Sequence, residues 1–189
     1  MHPDIPDADR ERTLTLEAFA DTIIPGEKRS PDDRAVAGAA AGSGAVAAGA
    51  LAVLEEPASG VVGALDNLVP ALNAHAQTYA AERGLVLDGS VPPFVALPFA
   101  DRTALVQTLV APDHPEKEMW IAIALFSTMA FDIAAHLHTT DALAAGHPGL
   151  ATIGFAAPEA DGRWRFPAFS YGRKLADVHP DTTASGSPR

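Results

Sequence analysis

The chain has 189 residues, 48% of them hydrophobic, which is enough for one folded domain with a sizeable core and argues against disorder. Its net charge of −11 argues against nucleic acid or an anionic membrane surface as a partner. The absence of cysteine excludes disulfides, thiolate catalysis, iron–sulfur clusters and cysteine-based zinc sites, and it favours a reducing compartment.

The first residues are polar and rich in proline, and they predict a flexible lead-in over residues 1–12. They lack the basic segment and apolar stretch of a signal peptide, so we expect a cytoplasmic protein. An amphipathic helix follows, which Thr13 or Thr15 can cap and which Pro25-Gly26 ends. The residues with helical spacing in it are Leu16, Phe19, Ala20, Ile23 and Ile24.

Residues 35–54 carry no charge and are mostly alanine and glycine. Their length would suit a membrane span, but alanine and glycine gain little from hydrocarbon, so we expect no span and a buried segment. We predict one or two helical pieces that end before Pro57. Small residues such as Gly38 and Gly42 favour tight internal packing, and a partner surface is the alternative.

Three more helices are predicted downstream. The first runs from Ser59 to about Arg83, where Gly84 stops it, and carries His75 on its apolar stripe as a hydrogen-bonded core residue rather than a ligand. The second spans residues 98–110. The third opens with Asp113 and Glu116 at capping-box spacing and runs to about residue 138.

The third of these helices determines the predicted fold. Residues 119–135 are apolar on nearly every side, and a helix of that kind must be buried on every side. At this length it suits the centre of a helical bundle better than a membrane span. We therefore predict an all-α protein, an irregular helical bundle around a buried apolar helix, with one helical domain over residues 13–178.

A long, irregular, aromatic C-terminal tail belongs to that domain, and residues 179–189 are predicted to be disordered. The tail combines aromatic side chains and arginines with recurrent glycine and proline. It can cover the core of the bundle, stack on a ligand, or dock into another protein, since interface cores are enriched in aromatic residues and arginine.

Catalytic motifs are absent from the sequence, including the dinucleotide and phosphate-binding glycine loops and the Gly-x-Ser-x-Gly elbow. The weak candidates for metal ligands are Asp132, His136 and His138, which His75 could join. Histidines at a helix C-terminus also interact favourably with the macrodipole without any metal. We expect no catalytic site, no metal and no cofactor in this chain.

The run from Leu16 to Gly26, LEAFADTIIPG, resembles the opening of the gluconate 2-dehydrogenase subunit 3 family. The order that follows is also similar, with Phe94-x-x-Leu97 before Arg102-x-x-Leu105, a long apolar helix, and the segment Ile153–Pro158. The resemblance covers roughly residues 14–160. Many members of that family begin with a twin-arginine signal, and this chain resembles a divergent cytoplasmic branch.

Family members are small subunits that associate with a large flavoprotein of the glucose–methanol–choline class, which carries FAD and the catalytic histidine. The resemblance implies a non-catalytic accessory protein that binds and stabilises a large FAD-dependent alcohol or sugar oxidoreductase in a hetero-oligomer. The alternatives are a small metal-binding enzyme or sensor and a small-ligand-binding helical protein. The predicted interface residues are Ile24, Pro25, Gly26, Phe155, Arg163, Trp164, Arg165, Phe166, Phe169 and Tyr171.

Overall fold

The computed structural model of the protein describes residues 7–155 and 180–181. These residues form eight α-helices and one 3-10 helix and contain no β-strand, so the predicted all-α class is confirmed. The helices are α1 (Asp7–Ile23), α2 (Ala50–Glu55), α3 (Val62–Arg83), α4 (Pro93–Ala96), α5 (Phe99–Leu109), α6 (Lys117–Ile133), α7 (Thr139–Ala144) and α8 (Pro148–Thr152), with the 3-10 helix at Pro57–Ser59.

By its internal contacts the chain divides after Phe155, and the eight helices belong to the first unit. The predicted domain end at residue 178 and most of residues 179–189 lie outside the described residues. None of the described helices is long and apolar enough to cross a membrane.

Helix α1 is the centre of the first unit, because it contacts α2, α3, α4, α5 and α6. Residues 15–22 are all buried except Glu17. Small side chains such as Ala18 and Ala20 allow neighbours to approach α1 from several sides. The helix also begins at Asp7, so the predicted flexible lead-in is wrong for residues 7–12, whose acidic residues suit the positive end of a helix dipole.

Helix α3 matches its prediction. It ends at Gly84, which adopts φ 66° and donates its amide to the carbonyl oxygens of the last turn. Its buried residues follow the predicted stripe: Leu65, Leu68, Val69, Leu72, Ala76 and Tyr79. One polar residue, Asn73, is buried with them, and its side chain accepts a hydrogen bond from the Phe94 amide and donates to Thr15 of α1. Asn73 thereby joins α1, α3 and α4.

Helix α6 corrects the predicted architecture. One side of it is buried, through Trp120, Ile123, Ser127, Ala130 and Phe131. The opposite side is open, with Ile121, Leu125 and Ile133 exposed to 44%, 54% and 54%. The prediction that residues 119–135 are buried on every side at the bundle centre is therefore wrong for the described chain. The apolar sequence predicts that this helix is covered on every side. It does not specify whether residues 7–155 provide that cover.

Both ends of α6 also differ from the prediction. The helix begins after Glu116, whose side chain makes no capping hydrogen bond, so the predicted capping box with Asp113 does not form. It ends at Ile133, because Ala134 adopts the left-handed conformation with φ 49° and ψ 48°. The chain then turns back towards α6, where Gly149 of α8 packs against the backbone of Phe131.

The alanine- and glycine-rich segment is irregular over residues 35–49 and becomes helical only in α2. Of the one or two helical pieces predicted, α2 is present and ends before Pro57, whereas residues 35–49 are not helical. Gly38, Gly42 and Gly49 adopt φ values of 73°, 78° and 89°, a left-handed conformation that interrupts an α-helix. Ala35, Ala45 and Ala50 are buried and pack closely inside the fold, whereas Gly38 and Gly42 are exposed, so the predicted internal packing is wrong for these two glycines.

Candidate functional site

The segment Ile24-Pro25-Gly26, which was predicted to contact a partner, is held from both sides inside the fold. The Ile24 carbonyl accepts the amide of Ala45 at 2.9 Å, and the Glu27 amide donates to the Gly42 carbonyl at 2.8 Å. Gly26 is buried, whereas Ile24 and Pro25 are half-buried. The backbone of this motif is therefore committed to internal pairing, and its two larger side chains retain some exposure.

Asp21 explains the position of that segment. Its carboxylate is 1% exposed and accepts hydrogen bonds from the amides of Gly26 at 3.2 Å and Ala37 at 2.9 Å. Burial raises the pKa of Asp21, while those two amides and the positive charge of Arg102 act in the opposite direction. The Asp21 carboxylate thus connects Gly26 and Ala37, two parts of an irregular segment that has few apolar side chains to pack into the core.

Arg102 completes this arrangement from α5. It is 4% exposed, and its guanidinium donates to the carbonyl oxygens of Leu97 at 3.0 Å, Ala35 at 2.7 Å and Val95 at 2.5 Å. Burial lowers the pKa of Arg102, and Asp21 opposes that effect. Asp21 and Arg102 thus each satisfy a backbone group near Ala35 that the irregular chain leaves without a helical partner.

The space beside Asp21 is small. A cavity lined by Asp21, Gly26 and Gly44 holds about 10 Å³, which is at the lower limit for a single water molecule. The hydrogen bonds of Asp21 and Arg102 to the backbone give both residues a structural role.

The three weak metal candidates do not meet. Asp132 is exposed on the last turn of α6, and the helix ends before His136, so the two residues do not share a helix face. His138 is exposed and its Nδ1 lies 2.7 Å from the Thr140 hydroxyl. His136 packs instead against Gly49 and, with ring centroids 5.9 Å apart, against His147. These residues therefore do not build the predicted site.

Sequence reasoning missed a different cluster, formed by His75, His114 and Glu116. Within residues 7–155 and 180–181, this is the grouping in which three potential metal-ligand atoms all lie within 4.8 Å of one another. His75 was predicted to be hydrogen-bonded, and its Nε2 lies 2.8 Å from the Glu116 carboxylate. The two residues are 41 positions apart in the sequence, so local spacing could not predict this pairing.

The exposed side of α6 is the other candidate site. Successive residues are rotated by about 100° around a helix, which places Ile121, Leu125 and Ile133 within one-third of the circumference. Exposed Glu118 and Asp132 share this side. A cavity of about 150 Å³ lies at its edge, with Val53 of α2 and Phe126 and Met129 of α6 in its lining. We call Ile121, Leu125 and Ile133 the open face of α6.

The remaining predicted interface residues fall at or beyond the end of the first unit. Phe155 is 39% exposed. The other six lie outside the described residues: Arg163, Trp164, Arg165, Phe166, Phe169 and Tyr171. Their assignment to an interface stays a prediction.

No match to the chain was found among curated proteins or among solved structures. A family model does match, over residues 10–189, which includes the open face of α6 and the aromatic tail sequence. Its description carries no function, so the resemblance to the gluconate 2-dehydrogenase small subunits stays a prediction. The match covers nearly the whole chain, and the protein belongs to this family of unknown function, DUF5987.

Proposed function

We propose that this protein is a non-catalytic small subunit that binds and stabilises a large FAD-dependent alcohol or sugar oxidoreductase. The observation that carries the proposal is the open face of α6, where three aliphatic side chains are each about half exposed on one side of one helix. The resemblance of residues 16–26 supplies the identity of the partner. FAD and the catalytic groups belong to that partner.

The physical argument is the hydrophobic effect. Each exposed aliphatic side chain gains about 25 cal/mol for every Å² of apolar surface removed from water. Phe126 and Met129 of the same helix line a cavity that can receive an apolar side chain of the partner. At about 150 Å³ this cavity is below the roughly 300–1,000 Å³ of ordinary small-molecule sites. Protein docking therefore fits this face better than ligand binding.

Binding of this kind stabilises the partner by mass action. A subunit that binds only the folded flavoprotein contributes RT ln(1 + [L]/Kd), about 4 kcal/mol when its free concentration exceeds Kd a thousandfold. No catalytic group is required in the small subunit for this effect. A chain without cysteine suits a complex in the reducing cytoplasm, which we propose as its location.

The test is affinity purification of the tagged full-length chain from its native cells, followed by mass spectrometry and flavin analysis. We expect a large flavoprotein in a defined ratio to the wild-type chain. Leu125→Glu should remove it, because a carboxylate on the open face of α6 would have to be desolvated in the complex. Val86→Glu is the matched control, since Val86 is an equally apolar residue that is 98% exposed elsewhere. Recovery of the same flavoprotein with both variants would contradict docking through α6.

A further inference from the structure

Two helices that are distant in sequence bring three metal-binding side chains together. His75 lies within α3, and His114 and Glu116 lie just before α6. The His75 and His114 rings are 5.7 Å apart between centroids, and His75 Nε2 is 2.8 Å from Glu116 Oε2. All three residues are half-buried, which leaves an approach from solvent.

The carboxylate of Glu116 is oriented by a second residue. Trp120 is 1% exposed, and its indole Nε1 donates to Glu116 Oε2 at 3.2 Å. Its ring also contacts the His75 ring, with centroids 6.0 Å apart. Because Trp120 is fixed in the core, it restricts both side chains. Outer contacts of this kind orient the ligands of protein metal sites.

The hydrogen bonds of the cluster leave one ring nitrogen of His114 without a partner among the described residues. One ring nitrogen of His114, Nδ1, accepts the Glu116 amide at 3.2 Å. The other has no hydrogen-bond partner among the described residues. The pairing of His75 with Glu116 therefore accounts for two of the three side chains and leaves a ring nitrogen of the third available.

We propose that His75, His114 and Glu116 bind a divalent transition-metal ion of the Zn²⁺ type, which joins α3 to the start of α6. Two imidazoles and one carboxylate are a ligand set that Zn²⁺ accepts, with a fourth position left for water. Ligand bonds of about 2.0–2.1 Å in a tetrahedral site separate ligand atoms by about 3.3 Å. The His75–Glu116 pair must open slightly and His114 must move closer, and both changes are within reach of side-chain rotation.

This inference goes beyond the proposed docking function and changes the expectation that the chain has no metal. It gives the ion a structural task, since Glu116 begins the helix that carries the open face.

The decisive experiment is calorimetric titration of tag-free, full-length protein with Zn²⁺. The titration is done at about pH 7.5, where protons compete little with the metal ion for its ligands. We expect one ion per chain with a Kd of about 1 µM or tighter. Glu116→Gln removes the charge but retains an acceptor for Trp120, and it should weaken binding at least tenfold. His114→Ala should do the same. His138→Ala, at an exposed histidine outside the cluster, should bind Zn²⁺ like the wild type.

Thermal denaturation provides a second readout that a purely structural hydrogen bond would not change. Zn²⁺ should raise the unfolding temperature of the wild type and of His138→Ala, but not of His114→Ala. If Glu116→Gln fails to fold, His114→Ala decides, because the one hydrogen bond of the His114 ring in the described structure is to the nearby Glu116 amide. Binding weaker than about 1 mM, or a Kd unchanged within about twofold in His114→Ala, would overturn the proposal.

Discussion

Gly44 lies against Gly26 so closely that a methyl group on Gly44 would sit 2.6 Å from the Gly26 amide nitrogen and 2.5 Å from the Ile24 carbonyl oxygen. These are backbone atoms that cannot rotate away. Gly44→Ala should therefore destabilise the protein by about 1–3 kcal/mol through overpacking. Chemical denaturation of the purified variant measures this loss.

Gly63→Ala is the control for that prediction. A methyl group there meets nothing within 4 Å, and Gly63 lies in α3. Alanine is the better helix former by about 1 kcal/mol, so this variant should be as stable as the wild type or more so. Equal stability of Gly44→Ala and the wild type would show that residues 24–26 and 42–45 are not packed against each other as described.

A second prediction concerns Arg102. Arg102→Met leaves three buried carbonyl oxygens without their donor and Asp21 without its nearby positive charge. The expected cost is about 3–5 kcal/mol, as for other buried charges that lose a partner. Arg34→Met, at a residue whose ion pair with Asp88 is about half exposed, should change the unfolding free energy by about 0.5 kcal/mol or less. Urea midpoints of both variants test the difference.

The sequence was most informative where a single helix face faces the core. The stripe of α3 and its stop at Gly84 follow from apolar spacing and from the conformational freedom of glycine. The same reasoning was wrong for α6. A helix that is apolar on all sides is expected to be covered, but its sequence does not show which residues cover it.

The reasoning was also wrong for residues 35–49. Ala35 and Ala37 form hydrogen bonds with Arg102 and Asp21, which are distant in the sequence, and these bonds outweigh the helix propensity of alanine.

The third prediction concerns pH. Burial lowers the pKa of His136 below its ordinary value of 6.5, and neighbouring His147 adds to the effect. The unfolded chain then binds the proton more tightly, so stability is complete above about pH 6.5 and falls as the pH drops through that value towards the lowered pKa of the folded state. His136→Gln removes this contribution. Its unfolding free energy should decline less than that of the wild type between about pH 7 and pH 5.

Comparing the two proteins removes the pH-dependent contributions of groups that are present in both. Asp33, which Arg29 holds at a pKa of about 2 against the opposing effect of burial, is one of these groups. His138→Gln, at an exposed site, should retain the wild-type slope. A His136→Gln protein with the same slope as the wild type would mean that His136 is not buried against Gly49.

A fourth prediction separates the two sides of α6 in the isolated protein. Phe131 is 8% exposed, and Phe131→Ala should cost about 3–5 kcal/mol. Leu125 is 54% exposed, and Leu125→Ala should change the stability by about 0.5 kcal/mol or less. Denaturation of the two variants measures both values. A large loss in Leu125→Ala would mean that another part of this chain already covers the open face.

The site illustrates a further limit of sequence reasoning. Asp132 and His136 are four residues apart and would lie on one side of a continuing helix, but one left-handed residue, Ala134, separates them. The proximity of His75 and Glu116 cannot be predicted from local spacing, because it depends on how α3 and α6 pack against α1. Local spacing predicts clusters within one helix, whereas clusters between helices depend on tertiary packing.

The last prediction concerns the aromatic tail, whose composition favours docking or core cover. We expect that replacing Trp164, Phe166, Phe169 and Tyr171 with alanine leaves the unfolding free energy of the isolated chain within about 1 kcal/mol and abolishes co-purification of the flavoprotein. Aromatic anchors contribute most of the binding energy at many interfaces, and their loss should not affect α1–α8 if they face a partner. Circular dichroism and denaturation follow the fold, while affinity purification follows the complex. A variant that unfolds would assign the tail to the core of this chain. A variant that folds and still binds the flavoprotein at full strength would leave the open face of α6 as the docking surface by itself.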